Sequence, residues 1–153
     1  MPLRAGSRGP IVGLCLAAAL FAVGQLVLPW LVIGEVGVGR SSRSWAGMSA
    51  ADQGLPYLLA GWWLRWGAEA VVLVLLVSVI AFARGAAVGG SVAIVAAGVG
   101  LLWQAGTVLV VRRSATFVDP VRPGSGLVAS AVGVLGVAAV VLWDRRMARH
   151  RGP

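Results

Sequence analysis

Four long runs without a charged residue dominate this chain of 153 residues. Ile11–Gly34 spans 24 residues, Ala70–Ala83 spans 14, Gly85–Val111 spans 27 and Pro123–Trp143 spans 21. Each run has an arginine at or near one or both of its ends. Crossing the hydrocarbon core of a bilayer takes about 20 mostly apolar residues as a helix. Three runs meet that length alone, and the second meets it once its flanks are included. The expected fold class is therefore an all-α membrane protein, a four-transmembrane-helix bundle. Residues 1–153 read as a single membrane domain, because four spans leave no room for a separate soluble one. The expected helices cover about 11–32, 58–84, 91–111 and 125–143.

Composition supports the class. The chain is 59% hydrophobic and only 12% charged, against about 25% charged in ordinary soluble domains. The net charge is +8, and all 13 basic residues are Arg. With abundant Ala, Gly and Val, that bias looks like GC-rich coding and not a functional choice of Arg. The Arg are scattered at helix ends, where phospholipid headgroups and topology explain them. Nucleic acid is not an expected partner, since no basic motif of the known kinds is present.

Cys15 is the only cysteine, so neither an intramolecular disulfide nor a thiolate cluster can form. Its place in the first apolar run predicts a buried small hydrophobe. Leu14 before it argues against a lipoprotein-type cysteine. Arg4 and Arg8 resemble the basic start of a signal peptide, and Ala22, Val23 and Gly24 offer small residues at a cleavage spacing. The apolar run nevertheless continues to Ile33, beyond the usual 7–15 residue apolar region, which favours a retained helix.

Pro10 suits a helix start, where its missing N–H is not needed. Residues 35–57 form the longest polar connection. Val36 and Val38 alternate with Gly and Glu as a short strand would. Arg40 to Arg43 could turn the chain and Ser44-Trp45 could return it, which makes a small hairpin one reading of this first outer loop; irregular loop is the other. Ser49 to Asp52 has the outline of a capping box, but Gly54 and Pro56 break any helix started there. Gly85 to Gly90 reads as a tight turn, and Asp119-Pro120 and Pro123-Gly124 punctuate the second polar connection.

Both termini fall on one side of four spans. With the termini inside, Arg4, Arg8, Arg84, Arg145, Arg146, Arg149 and Arg151 are inner, against Arg40, Arg43, Arg65, Arg112, Arg113 and Arg122 outside. The inner bias is small, but four Arg crowd the eight residues after Trp143, and the outer connections are the longer ones. The expected place is the bacterial cytoplasmic membrane, integral, with both termini cytoplasmic. Trp30, Trp62, Trp63, Trp66 and Trp143 form the expected interface belt, because an indole is apolar in body and polar at its N–H.

Polar residues inside the runs are the candidate sites. Glu69 lies one turn deeper than Trp66. An ionisable group in a membrane is costly and is a functional candidate by default. Arg65, Arg112 and Arg113 are its candidate partners, and a salt bridge tying the second helix to its neighbours is favoured over a transport or ligand role. Gln25 and Gln104 sit well inside two spans. Amides there hydrogen-bond across helices more often than they line a path. Small residues Ser125, Ala129, Gly133 and Gly136 share one face of the last helix, as close backbone packing requires, and a homo-oligomer seam is the alternative. That packing predicts Val128, Leu135 and Leu142 facing lipid.

Catalysis has few tools here. The only histidine, His150, is in the tail. No His/Asp/Glu metal cluster, phosphate loop or nucleophile beside a base is visible. The expectation is no enzyme, no cofactor and no metal.

Length and helix number are similar to the small multidrug-resistance transporters, whose function depends on a glutamate in the first helix. This chain has Gln25 there and no acid. It more closely resembles small four-helix membrane proteins of actinobacteria that have no assigned function. The likeness rests on Leu28-Pro29-Trp30 ending the first helix and on the Gly/Ser/Trp-rich loop after it, and it implies no catalytic or binding residue. Two function classes remain. The first is a non-catalytic membrane protein serving as an accessory or interaction component of the envelope. Its partners would be the lipid bilayer and other membrane or envelope proteins. The second is a small oligomeric transporter or channel.

Overall fold

The computed structural model describes residues 8–38, 67–114 and 121–150. The described chain is mostly helical, with helices α1 (Arg8–Leu26), α2 (Ala68–Ala83), α3 (Ala87–Ser114) and α4 (Ser125–His150). Three short strands, β1 (Leu31–Ile33), β2 (Val36–Val38) and β3 (Val121–Pro123), form one sheet in the order β2-β1-β3. Three helices are long and apolar enough to cross a membrane: Gly9–Leu26, Val88–Leu109 and Ser125–Arg149. Ala68–Ala83 is apolar but shorter, about 24 Å at 1.5 Å per residue. The remainder of the expected second helix, 58–66, lies outside the described residues.

Helix α1 packs against α4 and α2, and α3 packs against α2 and α4. The four helices thus form a ring, with α1 and α3 in only slight contact across it. The core between them is built from Leu14, Ala18 and Phe21 of α1, Leu75 of α2, Ala93 and Ala97 of α3, and Val137 and Val141 of α4. Outward positions stay apolar too, including Leu16, Leu73, Leu102 and Leu135. A helix apolar on every side suits hydrocarbon surroundings and not water.

Helix α1 ends at Leu26, six residues before the expected boundary. Val27 and Leu28 both donate backbone bonds to Val23 O, 3.0 Å each, which closes the last turn. Pro29 follows and has no N–H to continue the ladder. The apolar residues beyond it, Leu31 to Ile33, become strand β1. The hairpin is also tighter and earlier than the sequence suggested. Ile33 pairs with Val36 across a two-residue turn, Gly34-Glu35. Gly34 has φ +60°, the conformation a two-residue hairpin turn with glycine first requires. Val36–Val38 is therefore the returning strand, not the outgoing one. Its expected partner, Ser44-Trp45, lies outside the described residues. Strand β3, from the second connection, pairs antiparallel with β1 on its other side. Pro123 is tolerated because β3 is an edge strand.

The α2–α3 turn is shorter than Gly85 to Gly90. Gly85, with φ +87°, donates to Phe82 O and Ala86 donates to Ala81 O, the paired bonds of a Schellman closure. Helix α3 then begins at Ala87 and includes Gly89 and Gly90. A Cβ at Gly89 would lie 2.6 Å from Phe82 N and 2.7 Å from Ser78 O, so these glycines serve a close helix crossing inside α3. At the far end, α4 continues seven residues past Trp143 to His150. No Gly or Pro interrupts that stretch, and Arg in a last helical turn complements the helix dipole.

Candidate functional site

Three buried polar side chains converge at the end of the bundle that carries the sheet. Gln25, near the end of α1, is fully buried, as are Gln104 in α3 and Ser130 in α4. Gln25 Nε2 donates to Gln104 Oε1 at 3.1 Å, to Gly100 O at 3.2 Å and to Ser130 Oγ at 3.4 Å. Gln104 Nε2 donates back to Gly24 O at 3.2 Å. Both amide orientations follow from the backbone: a carbonyl oxygen only accepts, so each Nε2 must face its carbonyl. Three helices are thereby tied by side chains that the sequence places 75 to 105 residues apart. Gln25 Oε1 is buried and has no hydrogen-bond partner among the described residues.

Close backbones make this meeting fit. A Cβ on Gly126 would fall 2.7 Å from Gly24 O, and one on Gly100 would fall 2.6 Å from the Phe21 ring. Further along α4, a Cβ on Gly133 would meet Phe21 Cβ at 2.7 Å and Phe21 N at 2.8 Å. The α4 seam against α1 thus runs through Gly126, Ser130, Gly133 and Val137, all buried. This corrects the expected stripe in part. Gly133 belongs to it, and Gly136 is partly covered, its Cβ position 2.9 Å from Ala17 Cβ. Ala129 is half-buried and Ser125 is exposed. A repeat of Gly126, Ser130 and Gly133 at i, i+4 and i+7 was available in the sequence, one position around from the set first singled out. Val128, Leu135 and Leu142 are all exposed on the outside of α4.

Trp30 corrects a second expectation. It is fully buried instead of facing headgroups. Its Nε1 donates to Gln25 O at 2.9 Å, an α1 carbonyl that the helix end would otherwise leave open. Gly124 N donates to Trp30 O and Gly126 N to Pro29 O, both at 2.8 Å. Trp30 is therefore held between α1, the start of α4 and the sheet. Trp143 is exposed at the opposite end; Trp62, Trp63 and Trp66 lie outside the described residues. Cys15 is a third correction: it is exposed on the outside of α1 and not buried. The inward positions of that turn are Leu14 and Ala18.

Glu69 is half-buried in the first described turn of α2. Arg65 lies outside the described residues, as do the side chains of Arg112 and Arg113, so the expected pairing does too. Ser78 and Thr107 bond back to their own helices at Val74 O and Trp103 O, 2.6 and 2.9 Å. Among the described residues no group of three His, Cys, Asp or Glu could hold a metal ion.

The arrangement joins three helices through two amides and a hydroxyl. No protein-family model matches the chain, and no curated protein or solved structure does either.

Proposed function

We propose that this chain is a non-catalytic integral membrane protein that assembles with other proteins of the bacterial envelope. In this reading it crosses the cytoplasmic membrane four times, with the second span extended through residues 58–66 and both termini in the cytoplasm. The bundle then holds the sheet and the two long connections on the outer face, where a partner can meet them.

One observation carries the reading: the polar side chains inside the bundle are bonded to each other and to helix carbonyls instead of lining a path. Away from the amide cluster the interior is closed by Leu14, Phe21, Leu75 and Val137, each fully buried. A conduction path needs polar groups along its length. A transporter is the second reading, and it rests on Gln25 Oε1, a buried acceptor without a donor among the described residues.

Two measurements test the proposal together. Purified protein in sealed vesicles should give ion and proton fluxes equal to those of empty vesicles. Photo-crosslinkers placed at Glu35 and Gly37, both exposed at the sheet, should trap one discrete envelope protein in living cells, while a crosslinker at Leu135 should trap lipid. A flux that depends on the protein and disappears in a folded Gln25→Leu variant would replace this reading with the transporter. Orientation is checked by thiol labelling: His150→Cys should be shielded in intact cells from an impermeant reagent that reaches Trp45→Cys. The reverse pattern inverts the topology.

A further inference from the structure

Arg84 and the three arginines of α4 lie at the end of the bundle opposite the sheet, which itself carries Arg122. Arg84 closes α2. Ser91 lies one turn into α3, and Arg145 of α4 donates from Nη2 to Ser91 Oγ. That bond brings the end of α4 to the turn in which Arg84 sits. At about 100° per residue, Arg149 falls only about 40° from Arg145 around α4 and Arg146 about 100° away, both to the same side. Asp144 falls about 100° to the other side and is half-buried. Arg84, Arg145, Arg146 and Arg149 are all exposed. Among the described residues no carboxylate forms an ion pair with any of them.

We propose that this end of the bundle binds the headgroup of an anionic phospholipid, with Arg146 and Arg149 as the main contacts and Arg84 and Arg145 beside them. The inference rests on the membrane-spanning reading above. Depth supports it. The uncharged part of α4, Ser125–Trp143, is about 28 Å long at 1.5 Å per residue, close to the roughly 30 Å of hydrocarbon in a bilayer. The next residues therefore emerge at headgroup level. Trp143, 63% exposed, marks that boundary as interfacial indoles do. Chemistry supports it as well. A guanidinium matches a phosphate with two parallel N–H donors, and four unpaired cations at the surface of a span attract anionic lipid. The bond to Ser91 fixes Arg145 in place, so part of the ordering is complete before a lipid arrives.

The test uses Trp143 as a reporter in the full-length protein. The chain is placed in bilayers of phosphatidylcholine, and brominated phosphatidylglycerol or brominated phosphatidylcholine is titrated in as quencher. Subtracting the signal of Trp143→Phe isolates the residue. Brominated phosphatidylglycerol should associate about threefold or more in preference, the order expected when several Arg face an anionic headgroup. Arg146→Gln with Arg149→Gln should bring the ratio close to one, while Arg146→Lys with Arg149→Lys should keep most of it. These side chains are exposed, and circular dichroism confirms that the variants fold. Equal quenching by the two lipids overturns the proposal, as does a preference that survives replacement of all four Arg. Inorganic phosphate that abolishes the preference at constant ionic strength overturns it in favour of a free-anion site. Release of the chain from membranes by alkaline carbonate would sink the spanning reading itself. Unselective quenching of a chain that stays embedded sinks only the lipid site.

Discussion

At the sheet-capped end of the bundle, Gln25, Gln104 and Trp30 turn their hydrogen bonds inward, onto one another and onto helix carbonyls. At the opposite end, Arg84, Arg146 and Arg149 turn theirs outward. The two ends contain polar groups for different reasons. An amide inside a bundle cannot reach water, so it must find a partner in the protein or leave a costly open group. An exposed guanidinium beyond the last apolar turn meets its surroundings directly and needs no internal partner. The first end should therefore respond to mutation through stability, and the second through the surrounding lipid and salt.

The largest effect expected is at the seam below the amide cluster. Gly133→Leu drives a side chain into the backbone of Phe21 and should cost about 3 kcal/mol or more, the upper range for overpacking. Leu135→Val, two residues away and 70% exposed, should stay within about 0.5 kcal/mol. Thermal unfolding in detergent checks both, and similar melting temperatures would remove the close α1–α4 contact from the account. Gln25→Leu comes next. It strands Gln104 Oε1, while Gly100 O keeps its helical bond, and an unmade buried bond costs about 1–3 kcal/mol. Gln104→Leu should cost less, since it removes one donor bond and one acceptor. The double variant should fall short of the sum by about 0.6–1.7 kcal/mol, the range measured for coupled polar pairs in membranes. Strict additivity would mean that the two amides act independently. Trp30→Phe removes the bond to Gln25 O together with the five-membered half of a fully buried indole, so about 1 kcal/mol is expected for the bond and about as much again for the volume lost. The smallest effect belongs to the other end: Arg146→Gln should leave the melting temperature in neutral detergent within about 0.5 kcal/mol of wild type. A large loss there would erase the contrast between the ends.

The helical runs were legible because each is long, uncharged and bordered by charge, which hydrophobic length alone detects. The pairing of Gln25 with Gln104 was legible in kind, since amides inside spans seek each other, but not in detail. Nothing local marks Ser130 or the Gly100 carbonyl as their partners. The misplaced boundaries share one cause. Leu31, Val32 and Ile33 are apolar enough to continue a span, and only the block at Pro29 and a partner strand from residue 121 onward turn them into sheet. That partner is too distant for any sequence window. Trp30 misled for a related reason: an indole beside a helix end has the same composition whether it faces headgroups or plugs a bundle. Cys15 misled because an apolar run has no polar face from which to judge which side is in.

The pairing of β1 with β3 also constrains the order of events in synthesis. Leu31–Ile33 can gain β2 within a few residues of leaving the ribosome, but its second neighbour, Val121–Pro123, emerges only after α2 and α3 have been made. Until then Trp30 lacks the Gly124 contact and Gln25 can reach only Gln104 and Gly100 of its partners, Ser130 arriving later still. Closing so long a loop is slow relative to forming either hairpin or helix. The third strand can thus join the sheet only after α3 has supplied Gln104 to the amide pair, and just before α4 supplies Ser130.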